Sequence, residues 1–128
     1  MTIKSINPAT EEVLAEYENI TKDELTNIVK NARNRFLDWK KDIKRRADFL
    51  HIFADVLRKN KEHLAMVATR EMGKAIKESL SEVEKCAWVM EFYADNGEVF
   101  LHDEVINTDA RKSFIAFDPI GVIASIMP

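Results

Sequence analysis

The single cysteine is the side chain of this sequence best suited to nucleophilic chemistry. Cys86 lies in the middle of a predicted helix, whereas a reactive thiolate is favoured at a helix N-terminus or beside a cation. Lys85 precedes it, but consecutive helical residues point in different directions and do not pair well. We therefore predict that Cys86 is a structural, buried thiol.

Acidic side chains that could serve acid–base catalysis occur near and on the same predicted helix. Lysines are interleaved with them, which favours ordinary ion pairing on an exposed face over a catalytic carboxylate in an apolar pocket. The residues concerned are Glu71, Glu78, Glu82 and Glu84, with Lys74, Lys77 and Lys85.

Other sequence patterns that would indicate a binding site are weak. His51, His63 and His102 lie on three different predicted elements without ligand spacing, so we predict no metal site. The three glycines do not form a glycine-rich phosphate loop. A basic cluster, Lys40 to Arg46, could hold an acidic surface, although a solvated helix junction is the favoured interpretation.

Composition restricts the class of protein. The 128 residues are 46% hydrophobic and 32% charged, as expected for one globular domain. A net charge of −3 without a basic face argues against nucleic-acid binding. No apolar stretch approaches the roughly 20 residues that span a bilayer, and no signal peptide is evident. We expect a cytoplasmic protein without a membrane partner, in agreement with the single cysteine.

The elements that position these residues follow from turn chemistry and apolar spacing. Asn7 to Thr10 form a turn cluster before the extended run Val13 to Tyr17, which predicts an N-terminal hairpin. Thr21 and Glu24 have the spacing of a capping box at a helix start. Apolar residues then recur at spacings of three and four through four predicted helices.

Two residues are predicted to set the bounds of the third helix, and the fourth is predicted to be the longest. We expect Asn60 to cap the third helix and Gly73 to end it. The fourth carries two apolar rows, which implies contacts on two sides. Its apolar residues are Ile76, Leu80, Val83, Ala87, Met90 and Ala94, with Cys86, Val89 and Phe92 beside them.

The pattern changes from helix to strand after Gly97. The runs Val105–Ile106 and Phe114–Phe117 predict strands, and Gly121–Met127 is nearly all apolar, which is typical of a parallel strand covered on both faces. Such a strand needs neighbours that the preceding segments do not supply. The chain is therefore predicted to be physically incomplete at its C-terminus.

Four short motifs, in their order and spacing, resemble the aldehyde dehydrogenase superfamily. They are Ile6-Asn7-Pro8-Ala9-Thr10, Glu71-Met72-Gly73-Lys74, the start Glu82-Val83-Glu84 of a long helix reaching Phe92-Tyr93-Ala94, and Pro119-Ile120-Gly121-Val122-Ile123 before Ile126-Met127-Pro128. The ending is most similar to succinate-semialdehyde dehydrogenases. A glycine often follows the Asn-Pro-Ala-Thr turn in the family, where this chain has Glu11-Glu12.

This resemblance implies an α/β fold and the N-terminal part of a cofactor-binding domain. Residues 1–128 would supply the hairpin, four helices and the first strands of a doubly wound sheet, and residues 104–118 resemble the oligomerisation arm. The complete enzyme would use NAD or NADP and oxidise a small aldehyde, such as succinic semialdehyde, to a carboxylic acid.

The same resemblance implies few site residues within this chain. The backbone of Ile126, Met127 and Pro128 would lie against the nicotinamide ribose side of the cofactor. Lys85 is a candidate partner for a substrate carboxylate, although an exposed lysine paired with Glu82 or Glu78 is the favoured interpretation. No catalytic residue is predicted, because the family's nucleophilic cysteine, glutamate base and glycine-rich segment lie further along.

Three functional hypotheses follow. The first is that the chain is part of an NAD(P)-dependent aldehyde dehydrogenase. In that case it is inactive alone and requires the rest of such a chain or a homo-oligomer partner. The second is a non-enzymatic interaction module whose exposed strand at Lys112–Asp118 pairs with another subunit. The third, an unrelated helical binding protein, requires all four ordered motifs to be accidental.

Overall fold

The computed structural model describes residues 2–126 and begins with an antiparallel hairpin. Strands β1 (Thr2–Ile6) and β2 (Val13–Glu18) pair with Thr2 opposite Glu18. In the connecting turn the Asn7 side chain accepts a hydrogen bond from the Ala9 amide at 2.9 Å. Glu11, at the position where a glycine is often found, has a φ of 61°. The predicted hairpin is confirmed.

Four helices follow: α1 (Lys22–Trp39), α2 (Ile43–Lys59), α3 (Lys61–Met72) and α4 (Ile76–Phe100). The predicted capping box begins α1, because the Thr21 hydroxyl accepts from the Glu24 amide while the Glu24 carboxylate accepts from the Thr21 amide. These hydrogen bonds, first the one from the Thr21 backbone, lower the pKa of Glu24. Asp42 caps α2, because its carboxylate accepts a hydrogen bond from the Arg45 amide at 2.9 Å.

Small side chains form the core where the helices cross. Helix α4 packs against α2 and α3, whereas no residue of α1 is buried. Alanine and serine side chains allow the helix backbones to approach closely, since larger ones would hold the axes apart. The buried residues are Ala54, Ala65, Ser79, Ala87 and Ala94.

Two predictions about helix bounds are wrong in detail. The Asn60 side chain makes no capping hydrogen bond to α3, because its amide donates instead to the Val56 carbonyl at 2.8 Å and closes the end of α2. Gly97 lies inside α4, which continues to Phe100, and open space surrounds its α-carbon. A single glycine weakens a helix without ending it.

The hairpin is attached to the C-terminal end of α3. The Ser5 hydroxyl donates to the Glu71 carboxylate at 2.6 Å, and Arg70 forms an ion pair with Glu12 at 3.3 Å. Gly73 ends α3 with a φ of 69°, as predicted, and its α-carbon is close to the Pro8 ring of the hairpin turn.

The C-terminal region contains one small sheet. Strands β3 (Glu104–Val105) and β4 (Phe114–Ile115) are antiparallel and two residues long. The buried strand predicted at Gly121–Met127 is absent from residues 121–126, which have no regular secondary structure, and Met127 lies outside the described residues. A strand needs at least one hydrogen-bonded neighbour, and no strand among residues 2–126 pairs with this segment. None of the helices in this part of the chain is both long and apolar enough to cross a membrane.

The two glycines of the helical region should respond in opposite directions to alanine. Gly73→Ala is expected to lower the free energy of unfolding by about 1–2 kcal/mol, because alanine disfavours positive φ and its Cβ would lie 2.8 Å from the Pro8 ring. Gly97→Ala should raise it by about 0.5–1 kcal/mol through helix propensity. Urea titration followed by circular dichroism measures both, and equal shifts of one sign would contradict this account.

Candidate functional site

Helix α4 is the element on which the candidate substrate residue lies. Its small residues Ser79, Ala87 and Ala94 are buried against the other helices. The Ser79 hydroxyl shares a hydrogen bond of 2.9 Å with Thr69 of α3. These contacts turn one side of α4 inward and leave the other side, which includes Lys85, open.

The orientation of α4 is also set by one arginine of α2. Arg58 donates to Glu84 at 2.8 Å and, through both terminal nitrogens of its guanidinium, to the two carboxylate oxygens of Glu91. Lys61 of α3 adds a second ion pair to Glu84 at 2.9 Å. One turn further along, His51 of α2 contacts Asp95 at 3.1 Å. A bidentate arginine–carboxylate pair restricts both distance and rotation.

Hydrogen bonds within this cluster, Arg58 with Lys61, Glu84 and Glu91, shift the pKa values of Arg58 and of the two glutamates. The hydrogen bond from Arg58 lowers the pKa of Glu91, and those from Arg58 and then Lys61 lower the pKa of Glu84. The two carboxylates, Glu91 first, raise the pKa of Arg58 above its usual value. Arg58, Glu84 and Glu91 are thus favoured in their charged forms.

Sequence reasoning did not identify Arg58, and it assigned Glu84 to the wrong partners. The expected pairing within the Glu71–Lys85 segment holds only for Lys74 with Glu82. Glu84 instead contacts α2 and α3. Its spacing of seven residues from Glu91 places both carboxylates on one face of α4, which is the signal that could have indicated a shared cation.

Lys85 is exposed on α4, and within residues 2–126 it has no ion pair. One partner expected from the sequence, Glu82, is engaged by Lys74. Lys85, Val89 and Phe92 are spaced by four and three residues, so they share one helix face, and all three are exposed. An ammonium group beside an apolar row can bind a carboxylate carried on a short aliphatic chain.

Cys86 is exposed, which contradicts the predicted burial. It borders a shallow groove of about 370 Å³ between α3 and α4. Other residues of the groove are Leu57, Met72 and Val83, with the Lys74–Glu82 ion pair at its edge. Neither Lys85 nor Ile126 lines this groove. Cys86, Val89 and Phe92, which the sequence places in one apolar row of α4, are all exposed.

The segment proposed to meet the cofactor is only partly described. Ile126 is 94% exposed, while Met127 and Pro128 lie outside the described residues. Among residues 119–126 only Gly121 is half-buried, and it faces the Phe36 ring of α1. The peptide groups of this segment form no hydrogen bond within residues 2–126. These residues do not by themselves enclose a dinucleotide.

The basic cluster at Lys40 to Arg46 forms a helix junction. Arg46 donates to the carbonyls of Trp39 and Lys40 and so satisfies the end of α1, which has no basic residue in its last turn. Arg45 pairs with Asp38 at 3.2 Å and lies over the Trp39 ring. Arg45 and Arg46 are therefore both engaged by residues of the chain itself.

A sequence model described as the aldehyde dehydrogenase family matches residues 1–128. A probable succinate-semialdehyde dehydrogenase [NADP(+)] of Synechocystis is 39% identical over all of this chain and 28% of its own length. A succinate-semialdehyde dehydrogenase [NADP(+)] of Mycobacterium avium is 33% identical, again over 100% of this chain and 28% of the relative. The chain thus spans about a quarter of the length of these relatives.

The fold has counterparts among solved structures. The succinic semialdehyde dehydrogenase of Streptococcus pyogenes, crystallised with NADP+ as the cofactor, superposes with a TM-score of 0.83 and 30% identity. The match covers 88% of this chain and 25% of that one. The similarity therefore extends over most of this chain but over only a quarter of the S. pyogenes enzyme.

The Arg58 cluster should make stability depend on pH in the acid range. Because Glu84 and Glu91 have folded-state pKa values below their usual 4.5, their contribution is present above that value and is lost as pH falls through the lowered pKa. We expect the urea concentration at the midpoint of unfolding to decrease as the pH is lowered from about 6 to about 3. The decrease should be smaller in Arg58→Met. Arg33→Met, an exposed arginine of α1, is the control. A wild-type pH profile in Arg58→Met would contradict this assignment.

Proposed function

Because the chain belongs to the aldehyde dehydrogenase family, we propose that it supplies the N-terminal part of an NADP-dependent enzyme that oxidises succinic semialdehyde to the corresponding dicarboxylic acid. The observation that carries the proposal is the match of all 128 residues to this family, at 39% identity to the Synechocystis relative. The similarity to the S. pyogenes enzyme supports the same substrate and cofactor. The interaction-module hypothesis has no comparable support, since the named relatives are dehydrogenases.

Lys85 is proposed to bind the carboxylate of the substrate. Its ammonium group is exposed and unpaired within the described residues, and Val89 and Phe92 continue the same face as an apolar row. Succinic semialdehyde has a carboxylate separated from its aldehyde by a short aliphatic chain, which matches this order of charge and apolar surface. Further polypeptide covering this face would reduce solvent screening and strengthen the ion pair.

The backbone of Ile126, Met127 and Pro128 is proposed to lie against the nicotinamide ribose side of the cofactor. The supporting observation is that the preceding peptide groups, within residues 119–126, have no hydrogen-bond partner in the described chain. The exposed peptide groups of this segment are thus available to bond to a cofactor or to a further strand. NADP, when bound, accepts hydride from the substrate.

Two further features remain proposals. Residues 104–118, which contain β3 and β4, would form the oligomerisation arm of a homo-oligomer. The cytoplasm is the proposed compartment, on the basis of the sequence composition and the single free cysteine.

The 128-residue chain alone is expected to be inactive. None of its residues is assigned a catalytic role. Cys86 lies in the middle of α4 beside a groove in which the ammonium group of Lys74 is paired with Glu82. We expect no succinic semialdehyde-dependent formation of NADPH by absorbance. Turnover that disappears in Cys86→Ala would show that this thiol is a nucleophile, whereas turnover unchanged in that variant would indicate a contaminating enzyme.

A chimaera tests the proposed substrate contact. Residues 1–128 would replace the matched segment of the Synechocystis relative, and the chimaera should oxidise succinic semialdehyde. In it, Lys85→Ala should raise KM for succinic semialdehyde about tenfold, the equivalent of about 1.4 kcal/mol, with little change in kcat. KM for propanal, which has no carboxylate, should stay unchanged.

Lys77→Ala is the matched control for this substitution. Lys77 is an exposed lysine of the same helix without an ion pair among the described residues, and its replacement should leave both KM values unchanged. An equal rise of KM for the two aldehydes in Lys85→Ala would exclude a carboxylate contact. An inactive parental chimaera would count against the proposed function itself.

A further inference from the structure

Arg58 of α2 contacts helix α4 at two points along its length. Its guanidinium donates to Glu84 at 2.8 Å and to both carboxylate oxygens of Glu91. The two glutamates are seven residues apart, which places them on one face of α4 with about 10 Å between them along the helix axis. A rigid cation held at two such points resists both sliding of α4 along α2 and rotation of α4 about its own axis.

The other contacts on the inner side of α4 restrict its rotation less. The side chains at the crossing of α2 and α4 are small, namely Ala54, Ala87 and Ala94, and they do not interlock as large side chains would. Ser79 makes one hydrogen bond to α3, and Asp95 makes one contact to α2. A single contact permits rotation about itself, whereas Arg58 forms three hydrogen bonds with α4.

Lys85 directly follows Glu84 and therefore moves with it. Consecutive helical residues point about 100° apart, so Lys85 lies outside the Arg58 cluster, on the exposed face with Val89. A rotation of α4 by about 20° would move a group at the helix surface, roughly 6 Å from the axis, by about 2 Å. An ion pair with an N–O distance of about 2.8 Å would then exceed the contact limit of about 4 Å, unless the lysine side chain rearranged.

We propose that Arg58 is a positioning residue for the substrate carboxylate: by holding Glu84 and Glu91 it directs Lys85, and so favours aldehydes that carry a carboxylate. The inference rests on the proposed function, in which Lys85 binds that carboxylate. Arg58 itself does not contact the substrate in this assignment, because all three nitrogens of its guanidinium donate to the two glutamates. Substrate selection then depends on a residue of α2 as well as on the lysine of α4.

A purely electrostatic action of Arg58 would have different consequences. Arg58 and Lys61 carry two positive charges, and Glu84 and Glu91 two negative ones, so the net charge of the cluster is zero. Loss of Arg58 would leave one surplus carboxylate, which would repel an anionic substrate. The geometric action is favoured, because the side chains of Arg58 and Glu91 are about one-third exposed and solvent screens a single charge there.

The kinetic test uses the chimaera of residues 1–128 with the remainder of the Synechocystis relative. Arg58→Met should raise KM for succinic semialdehyde about threefold to fivefold, less than Lys85→Ala because the flexible lysine side chain can partly compensate. The kcat and KM for propanal should stay unchanged. Arg58→Lys keeps the charge but cannot form the bidentate pair, so it should also raise KM for succinic semialdehyde. Arg33→Met, at an exposed arginine of α1, is the control and should leave every value unchanged.

A double variant separates geometry from charge. Arg58→Met combined with Glu84→Gln leaves Lys61 and Glu91, so the net charge of the cluster stays zero while the contacts of Arg58 with α4 are lost. If Arg58 acts by positioning, KM for succinic semialdehyde should stay as high as in Arg58→Met. A return to the KM of the parental chimaera in the double variant, or the parental KM in Arg58→Lys, would overturn the positioning role in favour of charge.

Spin labels report the direction of position 85 without any enzymatic activity. Labels attached at Lys85→Cys and Asp48→Cys, in a Cys86→Ala background of the 128-residue chain, measure the distribution of distances between α4 and α2 by pulsed electron resonance. We expect one narrow distribution, which Arg58→Met should broaden or displace by about 2 Å. Arg33→Met should leave it unchanged. The same distribution with and without Arg58 would overturn the proposal.

The two measurements separate failure of this inference from failure of the proposed function. An active chimaera whose KM for succinic semialdehyde is unaffected by Arg58→Met overturns the inference and leaves the proposed function standing. An inactive parental chimaera counts against the proposed function. In that case the spin-label distances alone decide whether Arg58 directs position 85: a distribution that changes in Arg58→Met supports this role, and an unchanged one overturns it.

Discussion

The contact between α2 and α4 determines the arrangement of the rest of the chain. Ala54, Ala87 and Ala94 allow the two helices to approach closely, and Arg58 fixes their register through Glu84 and Glu91. Small residues alone would permit rotation or sliding, whereas a bidentate ion pair has one favourable geometry. Because the cluster is partly exposed, its contribution is mainly orientation, with the apolar contacts supplying most of the stabilisation.

The remaining elements are attached to this pair of helices. Helix α3 packs on α4 and contributes Lys61 to the same cluster, and the hairpin is held by α3 through Ser5 and Glu71. Helix α1 is connected mainly by the junction at which Arg46 satisfies its final carbonyls. The faces of α2 and α4 that do not take part in these contacts carry exposed apolar side chains, among them Ile52, Phe53 and Phe92.

Local features were predictable from the sequence because neighbouring residues decide them. The hairpin turn, the capping box at Thr21 and Glu24, and the end of α3 at Gly73 depend on hydrogen bonds or backbone angles within a few residues. The family was also recognisable from the order of short motifs, and its match to residues 1–128 confirms it. The roles of Lys85 and of Ile126 to Pro128 stay predictions, since no contact among the described residues tests them.

The sequence by itself determined which segments are helical and which faces are apolar, because helix spacing and caps are local properties. Only the tertiary structure decided which apolar faces meet: it joined Arg58 to carboxylates far along the chain and left Cys86 exposed rather than buried. It also left residues 121–126 without the predicted strand. Long-range ion pairs and strand pairing depend on partners distant in sequence, so spacing along the chain does not specify them.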